Sequence, residues 1–456
     1  MKHLSIIILT AILPLLPACS GIRDCSAPQL DLPDQLAGNS VDSLTAADME
    51  WWKFYSDSSL IYIIEETLAN NRDILAAAAR VEQLRELYGI EKVNLAPTLS
   101  AIASADNETN DYYNEKYKSD PEYALKATLS WEADIWGGLK WSRKKSAANF
   151  RAGIEEERGM QVILIAEVAS AYFRLLALDN ELSIVKRTLY TREENLKKAK
   201  LRYEGGLTPE TVYQQAQVEY ASTAALIPEL ERRIKEQTNA ITLLMGRYPG
   251  EAIARGKLSL DEPIASRIPV GLPSTLLQRR PDLRAAEASL QASLATVGVA
   301  YADRFPRLRI SLTGGLENDE MDGFFRSPFS YVLGSVSGTI LDFGRNKRKH
   351  KAAIAAYEQS RLNYEQKVLT AFHEVDDAAT AFKLVQQSTT RRRELRDAAQ
   401  KYAQLAYMQY NMGVINYIDV LDASRRYFEA QVGLSNAVRD QYLAMVQLYK
   451  VLGGGW

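Results

Sequence analysis

Val368, Phe372, Val375, Ala379 and Phe382 recur at spacings of 4, 3, 4 and 3, the apolar seam of a helix packed along its whole length. Val162, Ile165, Val168, Tyr172 and Leu175 form a similar stripe earlier in the chain. Both stripes lie in long stretches without proline, 139–203 and 347–410. The second also lacks glycine, and as a helix would run about 96 Å. Shorter helical patterns occupy 59–94, 209–246, 267–304 and 417–452, and Pro228 predicts a kink in the second of these. A different period appears between the helices. Leu308, Ile310 and Leu312 alternate with Arg309, Ser311 and Thr313, and Val332, Gly334, Val336, Gly338 and Ile340 alternate with Tyr331, Leu333, Ser335, Ser337 and Thr339. This two-residue period predicts strands, with matching ones at about 99–107 and 122–134. Polar loops such as Glu317-Asn318-Asp319-Glu320 join each pair.

Each half of the chain therefore has the same order: helix, two strands, long helix, tight turn, helix. The residues repeat as well. Asn71-Arg72-Asp73-Ile74 returns as Arg280-Pro281-Asp282-Leu283, 209 positions on, while Tyr203 returns as Tyr410 and Gly206 as Gly413, 207 on. A solenoid repeat is far shorter, about 20–50 residues, so this is a duplicated half-molecule. The halves are read as 51–246 and 267–456, joined by a linker at 247–266.

Two physical demands follow. A helix near 100 Å needs neighbours along its length, which a tube of several chains supplies. Four strands of about ten residues suit a membrane barrel but cannot close one, because open edges are not tolerated in lipid. Several chains must share one barrel.

Composition narrows the chemistry. The net charge of −2 argues against bulk nucleic-acid binding. The two cysteines, Cys19 and Cys25, both lie near the start, so the body has no cysteine metal site, and no metal or cofactor is expected. His350 and His373 lie in helical sequence, too little for histidine-based catalysis. Lys2-His3, an apolar run over 4–16 and Leu16-Pro17-Ala18-Cys19 read as a signal peptide at 1–18. The ending resembles the lipobox of bacterial lipoproteins, in which Cys19 would carry the lipid. Ser20 after it points to outer-membrane sorting, and 19–50 would be a lipid-anchored tether. No other stretch reaches 18 apolar residues, so any crossing of a membrane falls to strands.

Leu277-Gln278-Arg279-Arg280-Pro281-Asp282-Leu283, Ala286-Glu287, Gly298 and Phe305-Pro306 resemble the signature run of outer-membrane efflux proteins of the TolC type, in the lipoprotein branch that works with RND pumps. Tyr417-Ile418-Asp419-Val420-Leu421-Asp422-Ala423 and the closing Gly-Gly-Gly-Trp fit the same branch. The resemblance implies a mainly α protein with a membrane β part. Three chains would form a twelve-stranded β-barrel in the outer membrane, continued by a twelve-helix α-barrel across the periplasm, with a small equatorial belt from the linker 247–266 and chain ends. It implies a passive exit channel of a tripartite efflux system, with a periplasmic adaptor and an inner-membrane RND pump as partners and outer-membrane lipid around the barrel.

No reaction is expected, so the residues singled out lie at the constriction. Gly206 and Gly413 suit the reversals at the periplasmic helix tips, since glycine tolerates positive φ. By match to the family motif, Asp419 and Asp422 point into the entrance, and a trimer would gather their carboxylates there to favour cations. Tyr410 matches a family tyrosine that ties neighbouring helices when the tip is closed. Ile415 stands where the family has its partner arginine, so that tie is absent or built differently. A periplasmic adaptor lipoprotein is the alternative reading, and it would carry one hairpin and not two. A lipid-anchored enzyme is a third, with few groups to support it. No nucleotide-binding loop occurs, so the chain is not the motor.

Overall fold

The computed structural model describes residues 57–110, 118–261 and 273–454, together with Cys25, Pro28 and Leu30. The signal peptide, Cys19, most of the tether and part of the linker lie outside the described residues. The elements run α1 (Ser58–Asn70), α2 (Arg72–Val93), β1 (Thr98–Asn110), β2 (Lys118–Ala133), α3 (Gly138–Glu204), α4 (Glu210–Leu244), α5 (Pro273–Arg279), α6 (Pro281–Ala302), β3 (Arg307–Asn318), β4 (Pro328–Ser337), α7 (Arg345–Asn411) and α8 (Tyr417–Val451). A short 3-10 turn, Met321–Arg326, joins β3 to β4.

The duplication is visible residue by residue. The long helices α3 and α7 have 67 residues each, and α4 and α8 have 35 each. Several expected spans and positions are corrected. The region 59–94 is not one helix: it breaks at Asn71 and, 209 positions on, the second half breaks at Arg280. At the first break Asn71 Oδ1 accepts from the Asp73 backbone N–H at 2.9 Å, capping α2, while its Nδ2 donates to the Leu244 carbonyl at 2.8 Å. At the second, Arg280 donates to the Val451 carbonyl at 3.2 Å, and Val451 is the repeat partner of Leu244. An amide and a guanidinium thus do the same work, tying a helix break to the last turn of the fourth helix of that half. The buried seam of α7 is Val368, Ala371, Val375, Ala378 and Phe382, so Phe372 and Ala379 of the expected stripe sit one position off it. Large aromatic and small alanine neighbours are hard to rank from spacing alone. The α3 stripe is buried at all five expected positions. Pro228 sits inside α4, which stays one helix.

The chain forms two compact units. The first comprises residues up to Leu30, Arg80–Ile154 and Ala285–Gln366. It holds one antiparallel sheet in the order β1-β2-β3-β4. β4 ends at Ser337, so Gly338 and the fully exposed Ile340 lie beyond it, shorter than the sequence period predicted. Below the strands, alanine-rich α6 packs closely: a Cβ on Gly298 would fall 2.6 Å from Trp141 Cε2. Trp136 stacks on Phe305 at 4.5 Å between ring centres, and its Nε1 donates to the Pro306 carbonyl at 2.8 Å.

The second unit comprises Asp31–Ala79, Glu155–Arg284 and Lys367–Trp456. Its core includes Leu60, Ile63, Ile64, Tyr172, Leu175, Ile241, Leu434 and Leu448, each under 2% exposed. The described part of the linker is fixed to this core. Gly256 N–H donates to the Tyr172 hydroxyl at 2.8 Å, Arg255 Nη1 donates to both Asp179 oxygens at 2.8 and 2.9 Å, and Arg393 and Arg396 reach the Leu260 carbonyl and the Asp261 carboxylate.

Candidate functional site: the sheet faces and the helix tips

The sheet separates polarity by face. In one register row Leu99, Leu129, Leu312 and Val332 are neighbours across the four strands; in the next, Ser100, Thr128, Thr313 and Tyr331 are. Strand side chains alternate between faces, so Leu99, Leu125, Leu129, Trp131, Ile310, Leu312, Val332 and Val336 share one side, and all are exposed. The other side carries the polar side-chain contacts between strands. Thr128 and Thr313 hydroxyls lie 3.0 Å apart, Ser130 and Ser311 3.1 Å. Lys126 pairs with Glu317 at 2.9 Å and with Glu122 at 3.4 Å, and Arg309 lies 3.7 Å from Glu132. Among the described residues, the outer edges of β1 and β4 pair with no other strand. An amphipathic sheet with an apolar outer face and two open edges suits lipid on one side and water on the other.

At the other functional region, in the second unit, α3 turns into α4 and α7 into α8. The turns are alike. Gly206 (φ 68°) and Gly413 (φ 73°) adopt the left-handed conformation expected of them. Leu207 N–H donates to the Arg202 carbonyl at 2.8 Å, and its counterpart Val414 to the Gln409 carbonyl at 2.9 Å.

Asp419 and Asp422 both lie in the first turns of α8, and neither is bare. Asp419 is exposed and accepts from the Asn416 backbone N–H at 3.1 Å, half of a capping box with the Asn416 side chain. Asp422 accepts from Arg426 Nε at 2.8 Å. That bond holds the Arg426 guanidinium above its ordinary pKa. The spacing of four between Asp422 and Arg426 could have revealed this pair in the sequence.

Tyr410 is tied as well, though not by Ile415. Arg202 of α3 donates to the Tyr410 hydroxyl at 3.0 Å, and its guanidinium lies 5.3 Å from the ring centre. One turn back Lys198 donates to Tyr407 at 3.2 Å, which lowers the phenol's pKa. The two long helices are thus joined within one chain by two cation–phenol pairs.

Behind them lies a cavity of about 870 Å³ lined in part by Arg187, Arg192, Glu219, Tyr407, Tyr417 and Phe428. Glu219 of α4 is its electrostatic centre, with a side chain 8% exposed. It meets Arg192 of α3 at 2.9 Å and accepts from Arg425 Nε of α8 at 2.7 Å. Arg192 also donates to Thr223. Burial lowers the Arg192 pKa, opposed by the Glu219 charge, whereas the Glu219 bond raises that of Arg425. Tyr417 is pushed up to about 12, first by burial and then by the nearby Tyr410 and Glu219. Sequence reading missed this cluster. Glu219 occupies a buried position of the α4 stripe, three after Ala216 and four before Thr223, where an apolar residue is the rule.

The described residues contain no cluster of metal-ligating side chains. An amphipathic four-stranded sheet and twinned helical hairpins are features of a membrane channel. The chain belongs to the outer membrane efflux protein family, whose pattern matches residues 63–247 and 272–454. It is 31% identical over 461 residues to the solvent efflux pump outer membrane protein SrpC of Pseudomonas putida, covering 97% of this chain and 96% of that protein. It is 31% identical over 443 residues to the probable outer membrane lipoprotein SilC of Salmonella typhimurium, covering 94% of each. Among solved structures, the outer-membrane channel OprN superposes with a TM-score of 0.86 at 28% identity, over 94% of this chain and 99% of that one. The protein is an outer-membrane exit channel of an efflux system.

Proposed function

We propose that three copies of this chain close a twelve-stranded barrel in the outer membrane and conduct substrates passively through it. The observation that carries this is the four-stranded sheet, apolar on one face and polar on the other, with both edges open. Lipid tolerates no open edge, so β1 of one copy pairs with β4 of the next. Cys19 carries the lipid anchor after removal of 1–18. The halves 51–246 and 267–456 supply equivalent helices to the periplasmic tube, and 247–266 forms its belt. The tip is the gate: Asp419 and Asp422 line the entrance, and Arg202 on Tyr410 replaces the tie that Ile415 cannot make. Opening separates these tip helices, a shift between two packings driven by contacts with a periplasmic adaptor. An inner-membrane RND pump supplies energy and substrate choice, and the channel itself catalyses nothing. The relatives named as a solvent efflux pump outer membrane protein and as a probable outer membrane lipoprotein support this placement. Native mass measurement of the detergent-extracted protein, followed by planar-bilayer recording, tests it. A trimer with a small cation-preferring current is expected. A stable monomer without current would refute it.

A further inference from the structure

Lys126 is held from several sides on the polar face of the sheet. It stands on β2 directly across from Gly315 of β3, with Phe329 of β4 next in the same row. Gly315 is obligatory at this point: an added Cβ would lie 2.0 Å from the Leu125 carbonyl oxygen. The missing side chain leaves the Lys126 stem room to cross β3. Its ammonium then reaches Glu317 at 2.9 Å and Glu122 at 3.4 Å and lies 5.9 Å from the centre of the Phe329 ring. Asp106 stands across from Glu122 on β1 and faces the same side. Two carboxylates per chain therefore hold one ammonium, with Asp106 further along the same face, near the ends of the strands distant from the helices.

The geometry points to Lys126 as a specificity-determining residue of the exit: it moderates an acidic zone on the water-facing wall of the barrel, so that polycationic solutes pass and are not held. This rests on the shared-barrel reading above. In a trimer the zone carries nine carboxylates and three ammoniums, counting Asp106, Glu122, Glu317 and Lys126 from each chain. Removing the ammonium raises the net charge of the zone from −6 to −9, a change that acts at short range in salt. On that reading the tip gate faces the periplasm and this zone the exterior, so the side of addition separates the two.

The test is block of single-channel current by hexaamminecobalt(III) added to either side of the bilayer, using the full-length trimer. With Lys126→Gln, the half-blocking concentration from the outer side should fall about tenfold, while block from the periplasmic side is unchanged. Lys126→Arg should restore wild-type block. The double variant Glu122→Gln/Glu317→Gln should shift outer-side block the opposite way, and it decides the matter if Lys126→Gln yields no trimer. Unchanged outer-side block in a conducting variant overturns the assignment and leaves the duct intact. A wild type that carries no current overturns the duct reading itself.

Discussion

Glu219→Ala should loosen the helix tips more than any single change at the entrance. The carboxylate is 8% exposed and is the common acceptor for Arg192 of α3 and Arg425 of α8. Removing it leaves the Arg192 guanidinium, 13% exposed, without its counter-charge. At 2.9 Å the pair attracts by roughly 6 kcal/mol at an effective dielectric of about 20. Part of that is offset by desolvation, and removal of one partner of a buried pair costs about 3–5 kcal/mol. Arg425 adds little, since its side chain is 51% exposed. A loss of about 3 kcal/mol, if spent on the closed packing of the tip, raises the open population about 100-fold. Planar-bilayer recording should show markedly larger or more frequent openings, together with a lower denaturation midpoint. Glu219→Gln, which keeps an acceptor but no charge, should fall between. Wild-type conductance and wild-type stability in Glu219→Ala would refute the view that this carboxylate holds three helices together.

Three further outcomes follow from the same contacts. Arg280→Ala should cost about 3 kcal/mol in chemical denaturation, because Asp282 and Glu374 lose a buried partner and the Val451 carbonyl loses its donor. Arg280→Lys should rescue little of this, since a lysine cannot fork onto Asp282 while also reaching Val451. Tyr417 has a folded pKa of about 12 against an ordinary 10.0, so its contribution to stability is complete below pH 10 and lost as the pH rises through 12. The melting temperature of the wild type should therefore fall between pH 9.5 and 11.5 by more than that of Tyr417→Phe, a difference of about 1–2 kcal/mol allowing for solvent screening. Asp419→Asn combined with Asp422→Asn should weaken cation preference in reversal-potential measurements, whereas Arg426→Ala should strengthen it by leaving Asp422 uncompensated. Unchanged selectivity in both would remove these carboxylates from the pore.

The fold was legible because its signals are long and doubled. A 67-residue amphipathic helix and a two-residue strand period each speak over many positions, and the repeat lets one half check the other. The breaks at Asn71 and Arg280 were not read, because each is held by one side chain tied to a carbonyl 173 and 171 positions away. Local spacing placed Gly206 and Gly413 at their turns and could have placed Arg426 beside Asp422. It could not place Arg202 on Tyr410, a contact across 208 residues, nor Glu219 beneath Arg425, across 206. Such pairs depend on how helices align in register, which the seam specifies only to about one turn. Lys126 was hidden for another reason: in sequence it is one lysine in an alternating strand, and only the pairing with Gly315 shows why its stem can cross there.

The shared barrel is tested most directly by locking its edges. In a Cys25→Ser background, cysteine at Ala101 of β1 should be paired in turn with cysteine at each position from Ser330 to Gly334 of β4. Oxidation of membranes should give, for the pairs in register, a covalent species of three chains on a denaturing gel. Chains that stay single, or that link only within themselves, would contradict a barrel built by three copies.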